Sequence, residues 1–96
     1  MANEDLKLVA TGVHYLSQGD ETSFFSWLQR IGCVRDVQGE GHSLVINLSS
    51  LPNDEDLREL IGLFYRYEID MRQLARFAER EWVRNPDAFW YQCLFA

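Results

Sequence analysis

Residues 33–48 read CVRDVQGEGHSLVINL and carry the clearest strand pattern in the chain. Two runs with β-branched residues, 33–38 and 43–48, flank a short stretch that contains Gly39 and Gly41. Glycine readily adopts the positive φ that a tight reversal needs, so this pattern predicts a β-hairpin. The second run is the more apolar and predicts the more buried strand.

The segment before the hairpin predicts a strand and then a helix. From Leu6 to Tyr15 the residues alternate with the two-residue period of a strand, and a helical stripe is the alternative interpretation. The run Gly19-Asp20-Glu21-Thr22 is a helix start signal. Four apolar side chains then share one helical face: Phe24, Trp27, Leu28 and Ile31.

The segment after the hairpin predicts helices. Asn53 is suited to cap a helix that opens with the acidic residues 54–56. Asp70 and Gln73 make a capping-box-like pair, which predicts a second helix over 70–84. Pro86 breaks that helix and suits the first turn of a short last one. That last helix should include Phe89, Trp90, Cys93 and Leu94.

These elements predict one α+β domain over residues 1–96, in the order β-α-β-β-α-α. The expected architecture is a three-stranded, mostly antiparallel sheet with helices packed on one face. If residues 69–77 formed a strand instead, the order would become the ferredoxin-like βαββαβ pattern. The cap signal at Asp70 favours the helix.

Charge and composition limit the classes of partner. The net charge of -6 disfavours binding to nucleic acid or to an anionic membrane and favours a basic protein. The sequence shows no signal peptide and no apolar run long enough to span a bilayer. The two cysteines, Cys33 and Cys93, are expected to be free thiols in a reducing cytoplasm.

The sequence contains no motif for catalysis, cofactor binding or metal binding. Cys33 and His42 lie on opposite arms of the predicted hairpin, but no orienting group or oxyanion loop accompanies them. The cysteines and histidines lack the paired spacing of a zinc site. The acidic residues 54–56 are explained by the helix start. We therefore expect a protein that is not an enzyme and that uses no cofactor or metal.

The C-terminal region favours a protein-interaction role. Buried aromatic side chains ringed by polar groups are typical of interface hot spots, and acidic groups accelerate encounter with a cationic partner. For most aromatic residues of this region, a place in the domain's own core is the preferred alternative. An inhibitor or immunity-type protein is the most concrete version of this hypothesis, and self-association through the same side chains is a further one. The candidate partner-binding residues are Trp82, Phe89, Trp90, Tyr91 and Phe95.

The alternative is a nucleic-acid-binding helix-turn-helix formed by residues 60–77, with the 70–84 helix as the recognition helix. Its candidate contacts are Arg72, Gln73, Arg76 and Arg80. Glu68 stands where this motif usually has a glycine, and the net charge opposes phosphate binding. A pair of helices with a solvated arginine face is therefore the preferred interpretation.

Overall fold

The computed structural model describes residues 6–96. It contains an antiparallel sheet and a set of helices, which confirms the predicted α+β class with three strands. The sheet order is β1-β3-β2, so the last strand of the hairpin is central. The strands are β1 (Lys7–Thr11), β2 (Val34–Glu40) and β3 (Ser43–Leu48). The α-helices are α1 (Gln18–Arg30), α2 (Asp54–Arg66) and α3 (Tyr91–Phe95), and a 3₁₀ helix covers Met71–Phe77.

The hairpin is tighter than the sequence predicts. β2 continues to Glu40, so that Gly39 lies within the strand opposite Leu44. The loop is reduced to Gly41 and His42, and Gly41 has a φ of 63°. Glycine is the residue that a two-residue loop of type II′ requires at its first position. The second glycine is therefore the one that makes the reversal.

The two faces of the sheet differ in polarity. In β1, Leu8 and Ala10 are fully buried, whereas the alternating residues Lys7, Val9 and Thr11 are exposed. The partners of the buried pair on β3 are Ile46 and Leu44, in keeping with the two-residue period of a strand. The buried face packs against apolar side chains of the helices, which include Phe24, Leu28, Leu57, Leu60, Ile61, Phe64, Leu74 and Leu94.

The first strand is shorter than predicted. It ends at Thr11 because Gly12 follows with a φ of 64°, outside the extended region. The predicted strand up to Tyr15 is therefore wrong in length, and the helical alternative for this segment is wrong in type.

Helix α1 begins earlier than the predicted start signal. Ser17 is the N-cap, and its hydroxyl accepts a hydrogen bond from the Asp20 amide at 3.1 Å. The Asp20 carboxylate in turn accepts from the Leu16 amide at 2.8 Å and from the Tyr67 hydroxyl at 2.8 Å. The bonds among Leu16, Ser17 and Asp20 resemble a capping box. The bond from the Tyr67 hydroxyl connects the start of α1 to the end of α2.

We expect the substitution Asp20→Asn to destabilise the fold at neutral pH and to have less effect in acid. The hydrogen bonds from Leu16 and Tyr67 lower the pKa of Asp20 in the folded state. The stability that the ionised Asp20 adds to the fold is present above its unfolded pKa of about 3.9. It is lost as pH falls through the lower pKa of the folded state. Urea midpoints of parent and variant at neutral and strongly acidic pH measure it. An equal difference at both would contradict this account, and Tyr67→Phe should reproduce part of the effect.

Helix α2 has caps at both ends. Asn53 accepts from the Asp56 amide at 2.8 Å and forms the predicted N-cap within a full capping box. At the C-terminus, the Ile69 amide donates to the Phe64 carbonyl at 2.9 Å, and Glu68 adopts a φ of 57°. These are the marks of a Schellman motif, in which the left-handed residue is usually glycine. Glu68 is therefore in a conformation that costs free energy for any L side chain.

We expect Glu68→Gly to stabilise the protein by about 1 kcal/mol, because the left-handed conformation costs a non-glycine residue about 1–2 kcal/mol and the greater freedom of unfolded glycine offsets part of that gain. Urea denaturation measures the change. Glu68→Ala is the matched control, since it removes the same carboxylate without relieving the backbone. A glycine variant no more stable than the alanine variant would contradict the prediction.

The predicted α-helix over residues 70–84 is wrong. The chain forms a 3₁₀ helix over Met71–Phe77, which is followed by turns up to residue 84. Asp70 does cap this segment by accepting from the Arg72 amide at 3.1 Å, but the side chains of Gln73 and Arg76 are drawn to β1. Since residues 69–77 are not a strand, the ferredoxin-like alternative is also wrong.

Within residues 6–96, no helix combines the length and the apolarity that crossing a bilayer would demand.

Candidate protein-interaction site

An aromatic cluster joins the C-terminal segment to α2. Phe89 meets Tyr65 of α2 edge to face, with ring centroids 4.7 Å apart, and meets Trp90 at 5.0 Å. Trp82 meets Trp90 at 5.8 Å. Phe89 is 56% exposed and Tyr65 is 51% exposed, so these two rings form the solvent side of the cluster.

The two tryptophans form the inner part of this cluster. The Trp90 indole N–H donates to the Val83 carbonyl at 2.9 Å, which fixes the ring against its own segment. The Arg58 guanidinium carbon lies 4.2 Å from the Trp82 ring centroid, within the range of a cation–π interaction. Both tryptophans are half-buried, so they support the exposed pair rather than present a free surface of their own.

The other two predicted aromatics, Tyr91 and Phe95, contact each other in α3 with their rings tilted by 54°. Their ring centroids are 5.1 Å apart, and the Arg84 guanidinium lies 5.3 Å from the Phe95 ring centroid. Both are half-buried. Of the five predicted partner-binding residues, Phe89 is therefore the one whose ring is most available to a partner.

A groove of about 970 Å³ runs beside α2 and is bordered by Tyr65. Apolar side chains of Trp27 and Met71 line it, together with Cys93. Trp27 lies close to α2 at Gly62, where an added Cβ would be 3.5 Å from Cζ2 of the indole. This distance is an ordinary van der Waals contact, so the Trp27 indole lies directly over this turn of α2.

A second groove, of about 700 Å³, meets the first at Trp27, which lines both. The Trp27 indole N–H donates to the Glu59 carboxylate at 2.8 Å and so holds the ring between the two grooves. Their lining contains five carboxylates, those of Glu55, Asp56, Glu59, Glu68 and Asp70, against the two guanidinium groups of Arg30 and Arg66.

We call the Tyr65–Phe89 pair together with the two grooves the aromatic–acidic surface. It places two exposed rings and a half-buried indole next to an excess of negative charge. Such a surface can bury apolar area and can attract Lys and Arg side chains, which favour both carboxylates and aromatic faces. Its chemistry suits the binding of a cationic protein segment.

No family model, curated protein or solved structure matches this chain. Over residues 6–96 there is also no group of three or more His, Cys, Asp or Glu side chains that could hold a metal ion. The aromatic–acidic surface is therefore the candidate site of this protein.

The structure does not bring Cys33 and His42 together. Cys33 precedes β2 and His42 follows it, and seven strand residues at about 3.3 Å each hold them roughly 20 Å apart. Burial raises the pKa of the Cys33 thiol to about 11, with a further contribution from Asp56. The thiol is therefore protonated at neutral pH, the opposite of what a cysteine nucleophile needs.

The four residues proposed to contact nucleic acid all have partners within the chain. Arg72 pairs with Asp70 at 3.2 Å, and Arg80 pairs with Asp54 and donates to the Pro52 carbonyl. Gln73 binds the backbone of β1 and Arg76 donates to the Lys7 carbonyl at 3.1 Å. These contacts favour structural roles for Gln73, Arg76 and Arg80, whereas the Arg72 side chain remains 70% exposed.

The sequence patterns did not identify Tyr65, and they placed Trp27 on the apolar face of α1 with Phe24 and Leu28. Tyr65 lies outside the apolar stripe of α2. A position outside such a stripe faces solvent, and this is the signal that could have identified Tyr65 as an exposed aromatic residue. Trp27 lies at the edge of the stripe of α1, where Phe24 and Leu28 are fully buried and Trp27 is only half-buried. Its position between two grooves depends on α2 and could not be derived from α1 alone.

Proposed function

We propose that this protein is a small acidic interaction domain that binds a basic partner protein through the aromatic–acidic surface. The supporting observation is the exposed Tyr65–Phe89 pair beside grooves whose lining carries five carboxylates against two guanidinium groups. Aromatic rings flanked by polar groups supply binding energy, while complementary charge speeds encounter and selects the partner.

In its most concrete form, the proposal describes an inhibitor or immunity-type protein that covers a cationic surface of its target. A negative net charge of this size suits that role because it attracts a basic target over distances up to the Debye length, about 8 Å at physiological ionic strength. The cytoplasmic location and the lack of catalytic activity remain predictions from the sequence.

Affinity capture from native-host lysate tests the proposal, with nuclease-treated and untreated samples compared by mass spectrometry. The bait proteins are the parent, Phe89→Ala and Leu51→Ala. Leu51 is 67% exposed and lies outside the aromatic–acidic surface, so it controls for the loss of any exposed apolar side chain.

We expect the parent and Leu51→Ala to capture one basic protein in stoichiometric amount after nuclease treatment, and Phe89→Ala to lose it. Capture that depends on intact nucleic acid would contradict the proposal. It would favour nucleic-acid binding by the arginine-bearing 3₁₀ segment. Equal capture by all three baits would place the contact elsewhere. An empty capture combined with a concentration-dependent mass would favour self-association instead.

A further inference from the structure

The outer edge of β1 is occupied by a side chain instead of a strand. The Val9 amide donates to Oε1 of Gln73 at 2.8 Å, and Nε2 of Gln73 donates back to the Val9 carbonyl at 2.8 Å. One side-chain amide thus satisfies both backbone groups of Val9 that point away from β3. A further bond from Nε2 to the Asp70 carbonyl at 2.8 Å holds the amide in this position.

The pair of bonds at Val9 has the form of a strand ladder. In an antiparallel ladder, the two residues of a hydrogen-bonded pair exchange both N–H to O=C bonds. Gln73 supplies the same acceptor and the same donor as an opposing strand residue would. Arg76 extends this cover, since its guanidinium donates to the Lys7 carbonyl at 3.1 Å and to the Gln73 carbonyl at 3.0 Å.

We propose that Gln73 and Arg76 close a strand-pairing surface on β1 that fits β1 of a second copy of this chain. Natural proteins block open strand edges because unpaired backbone groups recruit other strands. The geometry favours a second copy, because pairing about a two-fold axis at Val9 sets the two Val9 residues to exchange both bonds. In that register Lys7 lies opposite Thr11, so the pairing brings no like charges together.

The pairing surface is distinct from the aromatic–acidic surface. It uses the backbone of β1 with the side chains of Gln73 and Arg76. The aromatic–acidic surface uses α1, α2 and the C-terminal segment, and it meets the 3₁₀ helix only at its start, where Asp70 and Met71 line the first groove. The two surfaces would therefore have different roles. The β1 edge is kept closed against self-association, and the aromatic–acidic surface stays free.

Removal of the Gln73 amide tests this proposal by sedimentation across a range of protein concentrations. We expect the parent to sediment as a monomer, and Gln73→Ala and Gln73→Met to shift toward the mass of a dimer as concentration rises. The methionine variant retains most of the packing volume while it loses both bonds to Val9. Gln29→Ala, an exposed glutamine on α1, is the matched control and should stay monomeric.

A second substitution identifies the edge that pairs. Val9→Pro removes the outward amide, which bonds to Gln73 and not to β3, and proline is tolerated on strand edges of this kind. We expect Val9→Pro combined with Gln73→Ala to restore the monomer. A dimer that persists in the double variant would place the contact elsewhere and overturn the proposal, as would folded Gln73 variants that stay monomeric.

Amide hydrogen exchange gives an independent readout on the parent protein. The Val9 amide should exchange slowly in the parent and faster in Gln73→Met at concentrations where that variant is monomeric. A Val9 amide that exchanges at the rate of an open peptide in the parent would overturn the proposal. Unfolding of both Gln73 variants would also overturn it, because it would assign the side chain to core stability.

Discussion

Phe24→Ala should lower the free energy of unfolding by about 3–5 kcal/mol, the usual cost of truncating a buried phenylalanine. Phe24 is fully buried, and its ring contacts Tyr67 edge to face at 4.8 Å and Tyr15 at 5.6 Å. The ring therefore joins α1 to the loop before it and to the end of α2. Because small domains have about 5–15 kcal/mol in total, this one change should remove much of the stability.

Urea denaturation followed by circular dichroism measures this loss. Phe25→Ala is the matched control, because Phe25 is adjacent and aromatic but only half-buried, and it should cost clearly less. If Phe24→Ala does not fold at all, Phe24→Leu should still fold with a smaller loss, because leucine keeps more of the apolar volume and leaves a smaller cavity. Equal losses at positions 24 and 25 would contradict the assignment of Phe24 to the core.

Phe89→Ala should weaken the binding of the captured partner about 30-fold or more, which corresponds to roughly 2 kcal/mol at a hot spot. The fold should survive, because the ring is more than half exposed. Isothermal titration with the purified partner measures the affinity, and thermal unfolding checks the fold. Trp90→Ala is a poorer probe, since the Trp90 indole bonds to the Val83 carbonyl and its loss would disturb the segment itself.

Leu51→Ala is the control for the titration, and its affinity should equal that of the parent. An affinity for Phe89→Ala within about twofold of the parent would show that the ring is not part of the interface. A parallel loss of affinity in Leu51→Ala would show a general effect of removing exposed apolar side chains.

The sequence was sufficient for the elements that depend on local signals. The apolar run within residues 43–48 and the glycine at the reversal predict the hairpin, and the Asn53 cap predicts the start of α2. Each of these signals acts through residues within a few positions of one another. The strand lengths differed because Gly12 and Gly41, rather than the ends of the apolar patterns, set the boundaries.

Local sequence patterns did not predict the features that depend on tertiary contacts. The cap at Asp70 is compatible with an α-helix or a 3₁₀ helix. The 3₁₀ form occurs together with bonds from Gln73 and Arg76 to β1, which lies more than sixty residues away in sequence. No local pattern encodes such bonds. For the candidate site, the aromatic content of the C-terminal segment identified Phe89, but its neighbour Tyr65 belongs to another element.

The binding of a basic protein by the aromatic–acidic surface is tested most directly by a hydrogen-exchange map of this chain, free and in complex with the captured partner. If the partner binds this surface, we expect the added protection to concentrate in residues 62–71 and 89–93 and near Trp27. Protection confined to the outer face of the sheet, or to residues 72–80 of the 3₁₀ segment and the turn after it, would contradict the account.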